Sequence, residues 1–395
     1  MSTTRADGPS SDFVWRQNFD AQAFLARTWQ RRPMLIRQAW QTWRNPLAPD
    51  YLAGLACQPD VESRLVLHGK RGWRLEHGPL PVARFASLPK KHWTLLVQGV
   101  DLHVPAVARL RDAFRFLPDW RIDDVMVSYA ADGGSVGPHF DQYDVFLVQG
   151  LGQRRWQVGP RCDANTALLS DTALRLLPDF ALKHEWLLEA GDILYLPPGF
   201  SHHGIAVGDD CMTYSIGFRA PSRAELLGHW VDAVIDGLSD DERYTDGVLP
   251  RAANAGEIDG ATLARLLDMV RGALTDGSAF AAWFGRFATA PKYPELTAGP
   301  RWSLTAERFA ARLARGGRLV REPASRYAFV RDGRAVTLFV NGEAYPCRGA
   351  AARWAERLCA DRVGHAVAAD LRTSAMFELA LDLYNRGALL FDRGR

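Results

Sequence analysis

The chain has 395 residues, 47% hydrophobic and 24% charged, a balance that excludes an unfolded polar polymer and leaves room for two or three domains with real cores. Net charge is only +3, yet from Pro291 onward there are 18 basic and 11 acidic residues, leaving 30 and 34 before it; this asymmetry suits a basic macromolecular substrate for the first part or nucleic acid near the second. Five scattered cysteines without a C-x-x-C pair argue against a disulfide framework or a zinc ribbon and fit a reducing, cytoplasmic setting.

Residues 1–11 are polar, carry no signal-peptide core and read as a short disordered tail. No apolar run approaches the roughly 20 residues that span a bilayer, so no membrane association is expected. From Asp12 to about Asp119, helix-like stretches (Ala21 to Thr28, Val104 to Phe116) alternate with short apolar strands such as Met34 to Ile36 and Thr94 to Val97. Then the text turns strand-rich. Asp124 to Tyr129, Tyr143 to Gln149, Gln153 to Val158, Ile193 to Leu196 and Cys211 to Phe218 are separated by Gly, Pro and Asp turns, which favours a sandwich or barrel closing a domain over 12–220.

At Pro221 the pattern switches to helix. Ser222 and Glu225 make a capping box ahead of a stripe through Leu227, Trp230, Val231, Val234, Ile235 and Leu238. A second stripe, Leu263, Leu266, Leu267 and Val270, follows within Thr262 to Leu274. These helices of the 221–290 segment could pack on the β core or on a symmetry mate. Pro291, Pro294 and Pro300 mark a linker, and beyond it 291–395 reads as a small α+β module with hairpin turns at Asp332-Gly333 and Asn341-Gly342, resembling a winged helix with its strands grouped together.

The chemistry gathers in two segments. In a strand, residues two apart share a face, so His139 and Asp141 can hold one ion together while Phe140 faces away. His202, arriving 63 residues later, would complete a 2-His-1-carboxylate triad of the kind found in non-haem Fe(II) oxygenases, with three coordination positions open. The spacing supports the pairing. Gly191, five residues, Pro197, one residue, Gly199, two residues, then His202 is the second cupin motif; Gly133, five residues, His139 begins the first, with Asp141 in place of its second His. His203 would face the opposite way, and Asp192 reads as part of the tight turn before the ligand strand.

Tyr143, Val145, Leu147 and Gln149 continue the face of His139 and Asp141. A turn at Leu151-Gly152 would pair Gln149 with Arg154 and send Arg154 and Trp156 toward the metal; a three-residue turn would favour Arg155 instead. A buried arginine there could hold the distal carboxylate of 2-oxoglutarate, or simply pair with a local aspartate. Ser128, Tyr214 and Ser215 are further candidates for that cosubstrate. Asp132, Tyr143 and Asp144 are candidates for a cationic substrate side chain.

Taken together, Gly137-Pro-His-Phe-Asp-Gln-Tyr-Asp-Val-Phe-Leu-Val-Gln-Gly150, Gln153-Arg-Arg-Trp156, Gly191-Asp-Ile-Leu-Tyr-Leu-Pro-Pro-Gly-Phe200 and Tyr214-Ser-Ile-Gly-Phe-Arg-Ala-Pro221 resemble the JmjC-type cupin ribosomal oxygenases, and most nearly the bacterial ribosomal-protein arginine hydroxylases. Trp29-Gln-Arg-Arg-Pro-Met-Leu-Ile-Arg37 agrees. The resemblance implies an α+β chain with a double-stranded β-helix core (a JmjC/cupin jelly roll), then a helical dimerisation segment and a winged-helix-like C-terminal domain. It also implies Fe(II) on His139, Asp141 and His202, 2-oxoglutarate on Arg154, homodimerisation, and hydroxylation of an arginine in a large-subunit ribosomal protein. Direct nucleic-acid binding is not expected. His203 and an insertion near Gly208 to Asp210 depart from the family pattern. The alternatives are a JmjC oxygenase acting on a histidyl or lysyl residue, a non-oxygenase metal cupin, and a nucleic-acid module led by the basic C-terminal part.

Overall fold

In the computed structural model the described residues are 13–70, 72–170, 172–246, 248, 254–297, 299–300, 302–360, 371 and 373–392; the tail expected over 1–11 lies outside them. The chain divides into two compact units, Met1–Ala220 and Pro221–Arg395.

The first unit is a nine-stranded antiparallel sheet: β1 (Met34–Ile36), β2 (Ser63–Gly69), β3 (Gly72–His77), β4 (Trp93–Val97), β5 (Ile122–Ala130), β6 (Asp144–Arg161), β7 (His184–Glu189), β8 (Ile193–Leu196) and β9 (Phe200–Phe218). Their order is β1-β8-β6-β9-β5-β4-β2-β3, with β7 on β6. Short helices α1 (Ala21–Arg27), α2 (Pro49–Leu55), α3 (Val82–Ala86), α4 (Val100–His103) and α5 (Pro105–Leu110) belong to the lead-in. The first half of β6 pairs with β8 and the C-terminal half of β9, while its second half pairs with β7 and the N-terminal half of β9. Two long bent strands thus run through both halves of the jelly roll.

Alternation along these strands separates two environments. Val145, Leu147, Trp156, Leu194 and Leu196 pack in one cluster, whereas Phe146, Val148, Ile193, Tyr195, Ile216 and Phe218 pack with Phe24, Phe114 and the other lead-in residues in a second. Both faces are covered, which is why these strands read as nearly continuous apolar runs. The hairpin expected at Leu151-Gly152 does not form. Gly152 takes φ +57°, the register against β9 shifts on both sides of Leu151, and β6 continues as one bulged strand. A side chain at Gly152 would also run into the Asp210 carbonyl, 2.8 Å from its Cβ position.

Alternation also corrects one site assignment. Asp144 neighbours Tyr143 and so must take the opposite face: it is fully buried on the lead-in side, accepting from Tyr195 Oη at 2.6 Å and Gln30 Nε2 at 2.9 Å and pairing with Arg121 Nη2 at 3.0 Å. It ties the lead-in to the sheet and lies on the face opposite Tyr143. The turn residue Asp192 is structural, accepting from the backbone N–H groups of Gln38 and Glu189 and from Arg37.

The second unit holds α6 (Arg223–Gly237), α7 (Gly260–Leu274), α8 (Gly277–Thr289), α9 (Ala306–Ala314), β10 (Leu319–Arg321), β11 (Tyr327–Asp332), β12 (Ala335–Val340), β13 (Glu343–Cys347), α10 (Gly349–Ala360), α11 (Ser374–Asn385) and β14 (Leu389–Phe391). Ser222 caps α6 with the reciprocal Glu225 contact expected of a capping box. Both hairpin turns form, Asn341 and Gly342 taking φ +50° and +86° between β12 and β13. Helix α8, absent from the sequence reading, packs on β11, β12 and β13: Gly285 sits against the Phe339 ring, and Thr289 Oγ1 accepts from Gly342 N at 3.1 Å. The structure therefore joins the end of the 221–290 segment to the module expected over 291–395. No described helix is long and apolar enough to cross a membrane.

Asp144→Ala should lower unfolding stability by about 3–5 kcal/mol, because it strands the half-buried Arg121 and two further donors. Urea unfolding followed by tryptophan fluorescence reads this; a loss below about 1 kcal/mol would show that the network does not anchor the lead-in.

Candidate metal centre

Two backbone hydrogen bonds build the site. His139 N donates to His202 O at 3.0 Å and His202 N to His139 O at 2.8 Å, so the loop before β6 and the start of β9 meet as a reciprocal antiparallel pair. Residues directly opposite share a face, which places the two imidazoles side by side with ring centroids 4.3 Å apart. The pairing extends to either side, with Gly199 N donating to Asp141 O at 2.7 Å and Ala206 N to Gly134 O at 2.9 Å. Asp141 Oδ2 then lies 3.6 Å from His202 Nε2 and 3.9 Å from His139 Nε2, and one donor atom from each residue falls within 4.8 Å of the others.

The ring orientation is fixed from behind. His139 Nδ1 lies 2.9 Å from Gly137 O, and His202 Nδ1 lies 2.9 Å from Phe200 O. A carbonyl can only accept, so each Nδ1 carries the proton and each Nε2 presents its lone pair to the common point. Burial, followed by the neighbouring His139, pulls His202 down to about 4, which keeps it neutral and ligand-ready. His203 is pulled down to about 4 as well, by burial and then by His139 and His68. It does not line the cavity beside the triad, in keeping with its opposite facing.

That cavity, about 450 Å³, lies against the inner face of the sheet. All three candidate ligands line it, as do Ser128, Tyr143, Arg154 and Ser215. Arg154 is 4% exposed. It reaches the inner face because the bulge at Leu151 and Gly152 resets alternation, not because a hairpin turns there; Arg155 is exposed, 4.0 Å from Glu185. Two other assignments fail. Tyr214 lies on the outer face between Thr213 and Ser215, its hydroxyl donating to Asn45 Oδ1 at 2.8 Å and its ring against Trp43, so alternation keeps it from that cavity. Asp132 sits beyond the end of β5, paired with Lys91 Nζ at 2.7 Å and capping Gly208 N, and is outside the cavity lining.

Sequence reasoning missed Thr94 and Thr213. Both are buried and line the cavity, and Thr94 Oγ1 has no hydrogen-bond partner. Thr213 was legible, since it shares strand parity with Ser215; nothing in the local sequence of β4 singles out Thr94. Arg154 Nη2 and Trp156 Nε1 are likewise buried without partners and belong to cavity-lining residues. Unmet buried donors on residues that line one cavity are what a polar ligand would satisfy.

The comparisons agree with this geometry. A JmjC domain model matches residues 109–226, and a ROXA-like winged-helix model matches residues 272–390. The Escherichia coli ribosomal protein uL16 3-hydroxylase is 38% identical over 321 residues, 81% of this chain and 84% of the relative. The chain belongs to the JmjC ribosomal oxygenase family. Among solved structures, the E. coli ribosomal oxygenase YcfD in complex with cobalt and 2-oxoglutarate matches with a TM-score of 0.83 at 33% identity, over 96% of this chain and 100% of the other. Its complex with cobalt and succinic acid gives 0.83 at 32% identity over the same shares. This oxygenase therefore keeps the family's two-part build, with its His139–Asp141–His202 cluster inside the span of the JmjC match.

The depressed histidines set a pH dependence. An unfolded imidazole binds a proton near 6.5 and these two bind it near 4 when folded, so the metal-free protein loses stability as pH falls through that window. His203→Gln removes one of the two sites and should flatten the loss by on the order of 3 kcal/mol at pH 4, read by denaturant unfolding at pH 7 and pH 4. An unchanged slope would show that His203 is not held neutral.

Proposed function

We propose that the chain is an Fe(II)- and 2-oxoglutarate-dependent hydroxylase of a ribosomal protein, and that the group hydroxylated is an arginine side chain of a large-subunit protein. The observation that carries this reading is the meeting, in one cavity, of a two-imidazole, one-carboxylate donor set and a buried guanidinium with an unpartnered nitrogen. The donor set fits Fe(II): borderline nitrogen and hard oxygen donors on one side of the ion, with room opposite for further ligands. Bound there, Fe(II) would supply the oxygen chemistry that converts 2-oxoglutarate to succinate and a substrate C–H to C–OH.

The chain's own residues bind and orient. His139, Asp141 and His202 would hold the metal, each imidazole locked by its Nδ1–H bond. Arg154 would take the distal carboxylate, and Thr94, Ser128 and Ser215 would line the same stretch. The apolar walls, among them Val66, Leu96, Met126 and Leu147, would keep water from the reacting centre. Tyr143, 41% exposed and lining the same cavity, remains the candidate for substrate contact. The ribosomal-protein substrate follows the uL16 hydroxylase relative; the arginine target follows the likeness of the motif segments to arginine hydroxylases.

Incubating the protein with Fe(II), 2-oxoglutarate and purified ribosomal proteins should raise one large-subunit protein by a single oxygen mass, with fragmentation placing it on an arginine. The modification should vanish with a chelator or in His139→Ala. Oxygen on a histidine or lysine would move the reading to that residue type, and unchanged masses throughout would sink it.

The proposed assembly is a homodimer through the helical segment, in a cytoplasmic setting and without a direct nucleic-acid role. On α7, Leu263, Leu266, Leu267 and Val270 are all exposed at helical spacing, as are Leu227 and Ile235 on α6. Such a stripe on one helix is a dimer contact in search of its mate. Leu263→Arg with Leu267→Arg should halve the mass measured by light scattering; a wild-type monomer would refute the assignment.

A further inference from the structure

Arg154 is aimed by a chain of hydrogen bonds that runs in one direction only. Gln149, fully buried, donates through Nε2 to Leu151 O at 2.7 Å and to Cys211 Sγ at 3.5 Å. A backbone carbonyl can only accept, so the amide cannot flip and its Oε1 must be the acceptor facing Thr213. Thr213 Oγ1 donates its single proton to that oxygen at 3.0 Å. The hydroxyl then has only lone pairs left, and one accepts from Arg154 Nε at 3.0 Å. Every proton in the relay is assigned, and it ends by pinning the guanidinium at its inner nitrogen.

Nη2 remains buried and without a partner. Trp156 lies beneath the guanidinium, its ring centroid 5.8 Å from Cζ, and gives the cation an aromatic face without using a donor. Among the described residues no carboxylate pairs with Arg154. A buried cation lacking a counter-charge is costly, and held in one orientation it is a preformed donor site for an anion. In a regular strand, Gln149 and Arg154, five apart, would point to opposite faces. The bulge at Leu151 and Gly152 brings them to one side, and Thr213 from β9 joins them.

We infer that Gln149 and Thr213 are positioning residues that, acting through Arg154, set the enzyme's preference for an oxoacid carrying a second, distal carboxylate. This rests on the cosubstrate reading above and deepens it: the metal ligands accept any 2-oxoacid, and the relay selects the dicarboxylate. Neither residue touches the reacting atoms.

The test compares 2-oxoglutarate with 2-oxopentanoate, which replaces the distal carboxylate by a methyl group, as ligands of the cobalt(II)-loaded full chain in titration calorimetry. The wild type should bind 2-oxoglutarate at least about 30-fold more tightly, the ratio expected for a charge-assisted pair of about 2 kcal/mol. Thr213→Val and Gln149→Met should each shrink that ratio by about tenfold by weakening 2-oxoglutarate alone, leaving 2-oxopentanoate and cobalt affinity unchanged. Thr213→Ser, which keeps the hydroxyl, should restore the ratio, and Arg154→Ala should abolish it. If Thr213→Val and Gln149→Met bind cobalt normally and keep the wild-type ratio, the relay has no such role. A wild type that does not prefer 2-oxoglutarate would overturn the cosubstrate reading itself and this inference with it.

Discussion

The metal site depends on one reciprocal pair of backbone hydrogen bonds, between His139 and His202. Side chains contribute the ligand atoms, but the main chain decides that they meet. A loop segment without regular strand structure is pinned to the first residues of a long strand, and the pairing geometry then dictates that opposite residues share a face. Asp141 follows from the same register two residues on, with its own carbonyl held by Gly199. The glycines of the cupin spacing serve this pairing. Gly133 and Gly199 adopt positive φ, +70° and +83°, where a side chain would be strained, and they lie at the two ends of the paired stretch.

The first unit treats buried polarity in two contrasting ways. On the lead-in face, the Asp144 carboxylate meets a phenol, an amide and a guanidinium, and its partners hold separate chain segments against the sheet. On the inner face, donors of Thr94, Arg154 and Trp156 are buried with nothing to bind. The first arrangement stabilises the fold and specifies its packing. The second costs stability in the protein alone, and the cost is recovered only when a ligand with matching acceptors enters. Asp144 and Arg154, the charged members of the two arrangements, sit on β6 ten residues apart, one on each side of the same strand.

The ligand set was legible because it needed only spacing: two short motifs, each with positive-φ glycines at fixed offsets, define a turn and a strand start whatever the rest of the chain does. The conflict over Tyr214 and Asp144 was equally contained in strand alternation, since Tyr214 and its neighbour Ser215 were both offered to one cosubstrate, and Tyr143, the neighbour of Asp144, was assigned to the inner face. Adjacent residues in a strand cannot both point inward. Arg154 was named for a different reason from the one that holds, because a glycine between two apolar runs signals a hairpin turn and a bulge with the same letters. Which of the two forms is settled by the partner strand: β9 runs alongside β6 beyond Leu151, so the chain continues rather than reversing. Helix α8 was hidden for a comparable reason. Its small residue Gly285 is matched to the Phe339 ring of a hairpin that follows later in sequence, and no local pattern announces that partner.

The bulge in β6 links fold to chemistry more tightly than the ligands themselves do. Without the extra residues around Leu151, alternation would place Arg154 on the face opposite Gln149, against the lead-in, where no anion could reach it. With them, Gln149, Thr213 and Arg154 join in one hydrogen-bonded chain, of which Thr213 and Arg154 line the cavity. Gly152 makes this possible through its positive φ and through the close approach of the Asp210 carbonyl, which leaves no space for a Cβ. Any larger residue there would have to push β6 away from the turn in β9 that carries Asp209 and Asp210. The metal pairing near His139 and His202 lies toward the other end of β9, so such a change would disturb the carboxylate site while leaving the ion's ligands in register. The proposed metal ligands thus depend on the loop before β6 and the start of β9, and the proposed dicarboxylate relay on the bulged stretch of β6 and its partner in β9.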